Sequence, residues 1–137
     1  MYPPHLVAPM EQDLTEFGIE GLKSETAVVE ALESQEGTLL LVVNSVCGCA
    51  AANARPAVKF SLQNEKKPDK LTTVFAGVDK EATSKAREYL LPYPPSSPAI
   101  ALFKDGQLVH FIERHHIEGR SAEMIAANLK MAFDAYC

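Results

Sequence analysis

The sequence predicts an α/β domain in which a mixed four-stranded sheet is covered by helices on both faces, and three observations predict it. Residues 38–44, Thr38-Leu39-Leu40-Leu41-Val42-Val43-Asn44, form an unbroken apolar run that suits a strand buried on both sides. Helical and strand-like patterns follow one another as helix, strand, helix, strand, helix, strand, strand, helix, the alternation of a layered α/β chain. Asp105-Gly106 stands between two apolar runs, a strong hairpin signal. With 137 residues and 47% apolar content the chain can fill one core of ordinary size and is too short for two. Residues 1–137 are therefore read as a single domain.

The elements are justified in order. Pro3, Pro4 and Pro9 break up the start of the chain, and Glu11 to Ile19 supports one or two helical turns, so residues 1–22 are read as an N-terminal arm laid on the domain. Ser24 can cap a helix running to about Gln35, with Glu25 in its first turn and Val28, Ala31 and Leu32 on its buried stripe. Gly37 ends that segment and the strand 38–44 follows. A second helix opens at Ala50 and continues to about Asn64, with a kink expected at Pro56. Residues 71–77 read as a strand, and Asp79 can cap a helix that buries Ala82, Ala86, Tyr89 and Leu90. Pro92, Pro94, Pro95 and Pro98 make a stiff extended connection into strand 99–104, which the hairpin joins to strand 107–112. Ser121 caps the last helix, in which Ile125, Leu129, Ala132 and Tyr136 share a face.

A strand-helix-strand crossover makes a parallel pair and the hairpin an antiparallel one, so the simplest sheet order is 71–77, 38–44, 99–104, 107–112. That arrangement is thioredoxin-like. The 18 acidic residues exceed the 13 basic ones, for a net charge of −5, which argues against nucleic acid or an anionic membrane as partner. The longest aliphatic run, Leu39 to Val43, is far below the roughly 20 residues that cross a bilayer. The N-terminus has neither a basic nor an apolar leader region, so the cytoplasm is the expected compartment.

Three cysteines, Cys47, Cys49 and Cys137, are too few for a disulfide scaffold. Two of them, separated only by Gly48, fall between the carboxyl end of the central strand and the next helix, where free N–H groups and the helix dipole stabilise a thiolate. Cys47, on the loop side, is the expected attacker and Cys49 the resolving thiol. A disulfide closed across one residue departs from relaxed geometry and is easily reduced, which suits exchange or removal of a thiol adduct. Gly48 offers unusual backbone angles and room for a partner's sulfur. Pro98 opens the strand antiparallel to the central one, so it should touch the cysteines. Residues 113–120 should lie on the same rim, roughly 10 Å away, where Arg114, His115, His116 and Arg120 can bias the potential or bind an acidic adduct. Two alternatives stay open: a zinc or copper site on Cys-x-Cys completed by His115, His116 or Cys137, and a non-catalytic interaction domain.

The runs Asn44-Ser45-Val46-Cys47-Gly48-Cys49-Ala50, Ala54-Arg55-Pro56-Ala57, Pro95-Ser96-Ser97-Pro98, Ala101 to Gly106 and Ile112-Glu113-Arg114-His115-His116-Ile117-Glu118-Gly119-Arg120 together resemble the bacilliredoxin family over nearly the whole chain. The resemblance implies a thioredoxin-like fold and thiol–disulfide exchange that removes bacillithiol from mixed disulfides on client proteins, with weak disulfide isomerase activity in some members. It implies Cys47 as nucleophile, Cys49 as second motif cysteine, and a cis-proline at Pro98, after Ser97, bordering the site. Bacillithiol would be a co-substrate with no tightly bound cofactor and no metal, and the protein a monomer or weak dimer. The motif lacks one residue of thioredoxin's and the tryptophan before it, so recycling by thioredoxin reductase is not implied.

Overall fold

The computed structural model describes residues 2–33 and 36–137. In chain order its elements are α1 (Pro4–Thr15), β1 (Glu20–Gly21), α2 (Glu25–Leu32), β2 (Thr38–Asn44), a π-helical turn (Ala50–Ala54) continuing as α3 (Arg55–Ser61), β3 (Lys70–Phe75), α4 (Lys80–Glu88), β4 (Ala99–Lys104), β5 (Gln107–Ile112), α5 (Arg114–Ile117) and α6 (Ala122–Tyr136). The sheet has five strands in the order β1-β3-β2-β4-β5. The four expected strands have their expected neighbours: β3 runs parallel to β2, while β4 is antiparallel to both β2 and β5.

The strand count is corrected from four to five. Glu20 and Gly21 pair in parallel with Thr72 and Thr73, and the Leu22 N–H extends the ladder to the Thr73 carbonyl at 2.8 Å. Two residues carry no alternation that a sequence could display. They are recruited because β3 would otherwise present an open edge, and because Ile19 and Leu22 on either side bury completely.

Every residue of β2 is buried. Leu40 and Val42 face a layer built from α1, α3 and α6, with Leu14, Val58, Leu129 and Phe133. Leu39, Leu41 and Val43 face α2 and α4, with Val28, Leu32, Ala82 and Ala86. This two-sided burial is why the strand reads as a continuous apolar run.

The N-terminal arm is more regular than expected. Pro4 occupies the first helical position, where its missing N–H and fixed φ cost little, and the helix runs on through Pro9 while burying Val7 and Leu14. At Pro56 the expected disruption takes the form of the π-helical turn, in which the Arg55 N–H bonds back to the Ala50 carbonyl just before the proline. Ser24 and Ser121 cap their helices, accepting from Ala27 N–H at 3.1 Å and Met124 N–H at 3.2 Å. The expected end of α2 near Gln35 lies outside the described residues. Asp79 stands at the start of α4 without capping it, and instead accepts from Lys23 Nζ at 3.3 Å. The proline-rich connection begins as a turn, the Tyr93 N–H reaching the Leu90 carbonyl at 3.0 Å, and the Leu91–Pro92 and Ser97–Pro98 bonds are both cis. In the hairpin, Asp105 and Gly106 have φ of 49° and 81°, the left-handed pair that a two-residue turn between twisted strands requires.

One buried polar network joins three elements. Arg55 is 5% exposed, and its Nη1 donates to Asn44 Oδ1 at 3.0 Å and the Ser45 carbonyl at 3.1 Å while its Nε donates to Asp13 Oδ2 at 3.2 Å. Asp13 also accepts from Lys59 Nζ at 2.5 Å, and Asn44 Nδ2 donates to the Met10 carbonyl at 3.2 Å. The guanidinium thus clamps α1 and α3 to the carboxyl end of β2. Because Arg55→Met would strip charge-assisted bonds from polar groups that stay buried, it should cost about 2–3 kcal/mol of unfolding free energy in urea titrations. A loss within experimental error would show that the clamp is dispensable.

Candidate active site

The chain leaves β2 at Asn44 through a sequence of short local bonds. Asn44 Oδ1 accepts from Ser45 N–H at 2.9 Å, and Ser45 Oγ accepts from Cys47 N–H at 3.1 Å. The Cys47 carbonyl then accepts from Ala50 N–H at 3.0 Å and Ala51 N–H at 3.3 Å, so helical winding begins at Cys47 itself. Its sulfur accepts from Cys49 N–H at 3.4 Å, the place an N-cap side chain would fill. Cys49 Sγ lies 2.6 Å from Cys47 Sγ, and Arg114 Nη2 donates to Cys47 Sγ at 3.3 Å.

These contacts divide the two thiols. The hydrogen bond from the Cys49 thiol, then the Cys49 N–H, the Arg114 charge and the Ala50 N–H hold Cys47 below the ordinary thiol pKa, against an opposing desolvation. Burial, reinforced by the neighbouring Cys47 sulfur, pushes Cys49 up. Both are half-buried, and Cys49 packs against the core layer that contains α6. The contacts thus favour the thiolate at Cys47 and the protonated thiol at Cys49.

Gly48 departs from its expected role in part. Its φ is not in the left-handed region, so no special backbone freedom is used. A Cβ built there would meet nothing within 4 Å beyond its two chain neighbours, so the position is open to the surroundings.

Of the basic residues expected on this rim, Arg114 reaches the sulfur. Its Nη1 donates to the Ser97 carbonyl at 3.2 Å, next to the cis Pro98, and its Nε pairs with Glu118. Glu118 and then the cysteine sulfurs raise the Arg114 pKa, keeping it a permanent cation. The other basic residues of the segment turn elsewhere. His116 Nδ1 accepts from Glu113 N–H at 3.1 Å, and burial followed by His115 lowers its pKa. The His115 ring lies 4.0 Å from that of His116, and Arg120 Nη1 donates to the His116 carbonyl at 3.0 Å. His116 and Arg120 line a separate cleft of about 490 Å3 with His110 and Ile125, between β5 and α6.

Cys137 is placed at the far end of β2, its thiol beside Thr38, with burial foremost in raising its pKa. A strand of this length separates it from Cys47 by roughly 20 Å. The three cysteines are therefore not assembled as one ligand set. Among the described residues no group of three or more His, Cys, Asp or Glu side chains is placed to hold a metal ion, and no helix is long and apolar enough to cross a membrane.

Cys47 opens onto a cleft of about 330 Å3 whose walls include Tyr2, Ser45, Arg87, Ser97 and Arg114. Sequence reasoning missed Tyr2 and Arg87. Tyr2 lies over Gly77, where φ is 84° and a Cβ would approach the ring to 3.1 Å, a close contact that the glycine permits. Arg87 sits in the polar stripe of α4, and nothing in its local sequence distinguishes it from a solvated arginine.

The sequence profile of the disulphide isomerase family covers residues 2–137. A bacilliredoxin of Cytophaga hutchinsonii is 64% identical over 134 residues, 98% of each chain, and one of Halalkalibacterium halodurans is 54% identical over 99% of this chain and 94% of that one. Among solved structures, oxidised thioredoxin O2 of Arabidopsis thaliana superposes with a TM-score of 0.57 at 16% identity, covering 84% of this chain and 94% of that one. The Malassezia sympodialis thioredoxin gives 0.57 at 15% identity over 86% and 90%. Placing a paired, polarised Cys-Gly-Cys at the carboxyl end of the central strand of a thioredoxin-like sheet, the chain belongs to the bacilliredoxin family and has the role of a thiol–disulfide oxidoreductase.

Proposed function

We propose that the protein removes bacillithiol from mixed disulfides on client proteins. The observation that carries this reading is the surroundings of the Cys47 sulfur, which receives the Arg114 guanidinium at 3.3 Å and the Cys49 N–H at 3.4 Å while facing an open cleft. A sulfur so placed stays ionised and reachable, the two conditions for attack on a disulfide.

In the transfer, the Cys47 thiolate attacks the bacillithiol sulfur of client-S-S-bacillithiol. The Cys47–sulfur bond forms as the client bond breaks, and the client leaves as thiolate. The resulting Cys47 mixed disulfide is opened in one of two ways. Cys49, after losing its proton to solvent, attacks Cys47 Sγ, so that a Cys47–Cys49 disulfide forms and bacillithiol departs as thiolate. Alternatively a second thiolate of the small thiol attacks the adduct sulfur and leaves as its own disulfide, returning Cys47. Cys49, 2.6 Å away, is already in place for the first route. The same exchange run on protein disulfides gives weak isomerase activity. The reading implies clients bearing the adduct as partners, bacillithiol as co-substrate, and a cytoplasmic setting where that thiol is kept reduced.

Cys47→Ala should abolish adduct transfer, whereas Cys49→Ala should retain the first attack and accumulate the Cys47 mixed disulfide, readable as an added mass on intact protein. The reverse pattern would exchange the two roles. The pH dependence of alkylation should give Cys47 a midpoint below that of an ordinary thiol, about 8.5. Removing the Arg114 charge in Arg114→Ala disfavours the thiolate, so the midpoint moves up and the rate at pH 7 falls. Cys49→Ala, which removes the largest stabiliser of that thiolate, should move the midpoint in the same direction. A Cys47 midpoint unmoved by either substitution would refute the electrostatic account.

A further inference from the structure

The cleft beside Cys47 contains a second guanidinium that the transfer just described does not use. Arg87, at the end of α4, lines it together with Arg114. The two arginines have opposite commitments. Arg114 is engaged by Glu118, the Ser97 carbonyl and the Cys47 sulfur. Among the described residues the buried Arg87 Nε has no hydrogen-bond partner, and burial depresses the Arg87 pKa. Among the described residues no Asp or Glu lines the cleft, although the chain as a whole carries a net charge of −5.

Partial desolvation of a cation is costly, and an anion that enters the cleft beside it offsets that cost. The guanidinium fork matches a carboxylate or a phosphate bidentately, and the carboxylate is the smaller of the two. The sheet order brings the two arginines to the same cleft from different directions, since Arg87 follows β3 and Arg114 follows β5, while β3 and β4 flank β2. At about 330 Å3 the cleft is at the small end of the range for small-molecule sites, roughly 300–1,000 Å3, which fits a compact thiol better than a protein segment.

Building on the reading of Cys47 as the attacking nucleophile, we propose that Arg87 is a specificity-determining residue that binds a carboxylate of an acidic low-molecular-weight thiol while Cys47 takes its sulfur. Adducts that carry a carboxylate near the disulfide are then selected over neutral or cationic ones. Arg114 activates the sulfur, and Arg87 selects what the sulfur attacks.

The test compares reagents of different charge at one sulfur. Iodoacetate and iodoacetamide both alkylate Cys47 by displacing iodide, and modification of the peptide bearing Cys47 can be followed by mass spectrometry in the wild type, Arg87→Gln and Arg87→Lys. The ratio of the iodoacetate rate to the iodoacetamide rate should fall at least threefold in Arg87→Gln and be largely kept in Arg87→Lys, with the iodoacetamide rate unchanged within twofold. Succinate should protect wild-type Cys47 from iodoacetate, a measurement that needs no variant to fold. A ratio unaffected by Arg87→Gln, or an absence of protection by succinate, overturns the proposal.

A second arm uses a neutral reporter peptide carrying mercaptosuccinate, mercaptoethanol or cysteamine as its mixed disulfide, and an acidic-flanked peptide carrying mercaptoethanol. Arg87→Gln should slow release of mercaptosuccinate about tenfold and leave the other three substrates unchanged. Slowing confined to the acidic-flanked peptide would assign Arg87 to the client and overturn its assignment to the small thiol. Release of no adduct by the wild type, with the iodoacetate preference intact, would defeat the proposed transfer while supporting the anion site. Release of every adduct at rates indifferent to Arg87 would do the opposite.

Discussion

Burying β2 on both faces forces the chain to leave the sheet at the strand's carboxyl end, and the chemistry is concentrated at that exit. A strand with no solvent-facing side cannot display a reactive group along its length, so the first residues free to meet solvent are those of the loop after Asn44. The exit is held by Arg55, whose guanidinium takes the Asn44 side chain and the Ser45 carbonyl while its other edge holds Asp13. Ser45 in turn accepts the Cys47 N–H. The position of the sulfur is therefore determined by a polar network that extends back into α1, and the N-terminal helix becomes part of the support of the site.

At the sulfur itself, three kinds of group act together. Backbone N–H groups at the start of a helix supply a fixed positive field, Cys49 supplies a hydrogen bond, and Arg114 supplies a full charge. Arg114 is oriented from both sides, by Glu118 one helical turn away and by the carbonyl of Ser97. Arg114 therefore links the Ser97 carbonyl to the Cys47 sulfur, although the three residues come from separate stretches of chain. Arg87 differs in kind, lining the same cleft with a buried Nε that has no hydrogen-bond partner among the described residues.

Much of the fold was legible in the sequence because the relevant signals are local. The continuous apolar run 38–44, the Asp-Gly turn and the serines at 24 and 121 each act within a few residues, and each has its expected place. The Cys-Gly-Cys motif fell at the strand-to-helix junction for the same reason. Less was legible at positions where a local preference was outweighed. Pro9 did not end α1, since the burial of Val7 and Leu14 favours continuation, and the π-helical turn absorbed Pro56. Glu20 and Gly21 became a strand through an edge that only the assembled sheet offers.

The sequence by itself determined the order of the main helices and strands, the place of the hairpin turn and the meeting of two thiols with a helix start, because these follow from hydrophobic period, turn chemistry and spacing. Tertiary structure alone decided which cation meets the sulfur. Arg114, His115, His116 and Arg120 are near neighbours in sequence, yet the short helix α5 directs Arg114 to Cys47 and turns His116 and Arg120 toward a different cleft. Tertiary structure also placed Arg87 and Tyr2 beside Cys47 and put Cys137 at the opposite end of β2. Side-chain encounters across the sheet depend on packing between residues distant in sequence, and no period or motif within one segment encodes them.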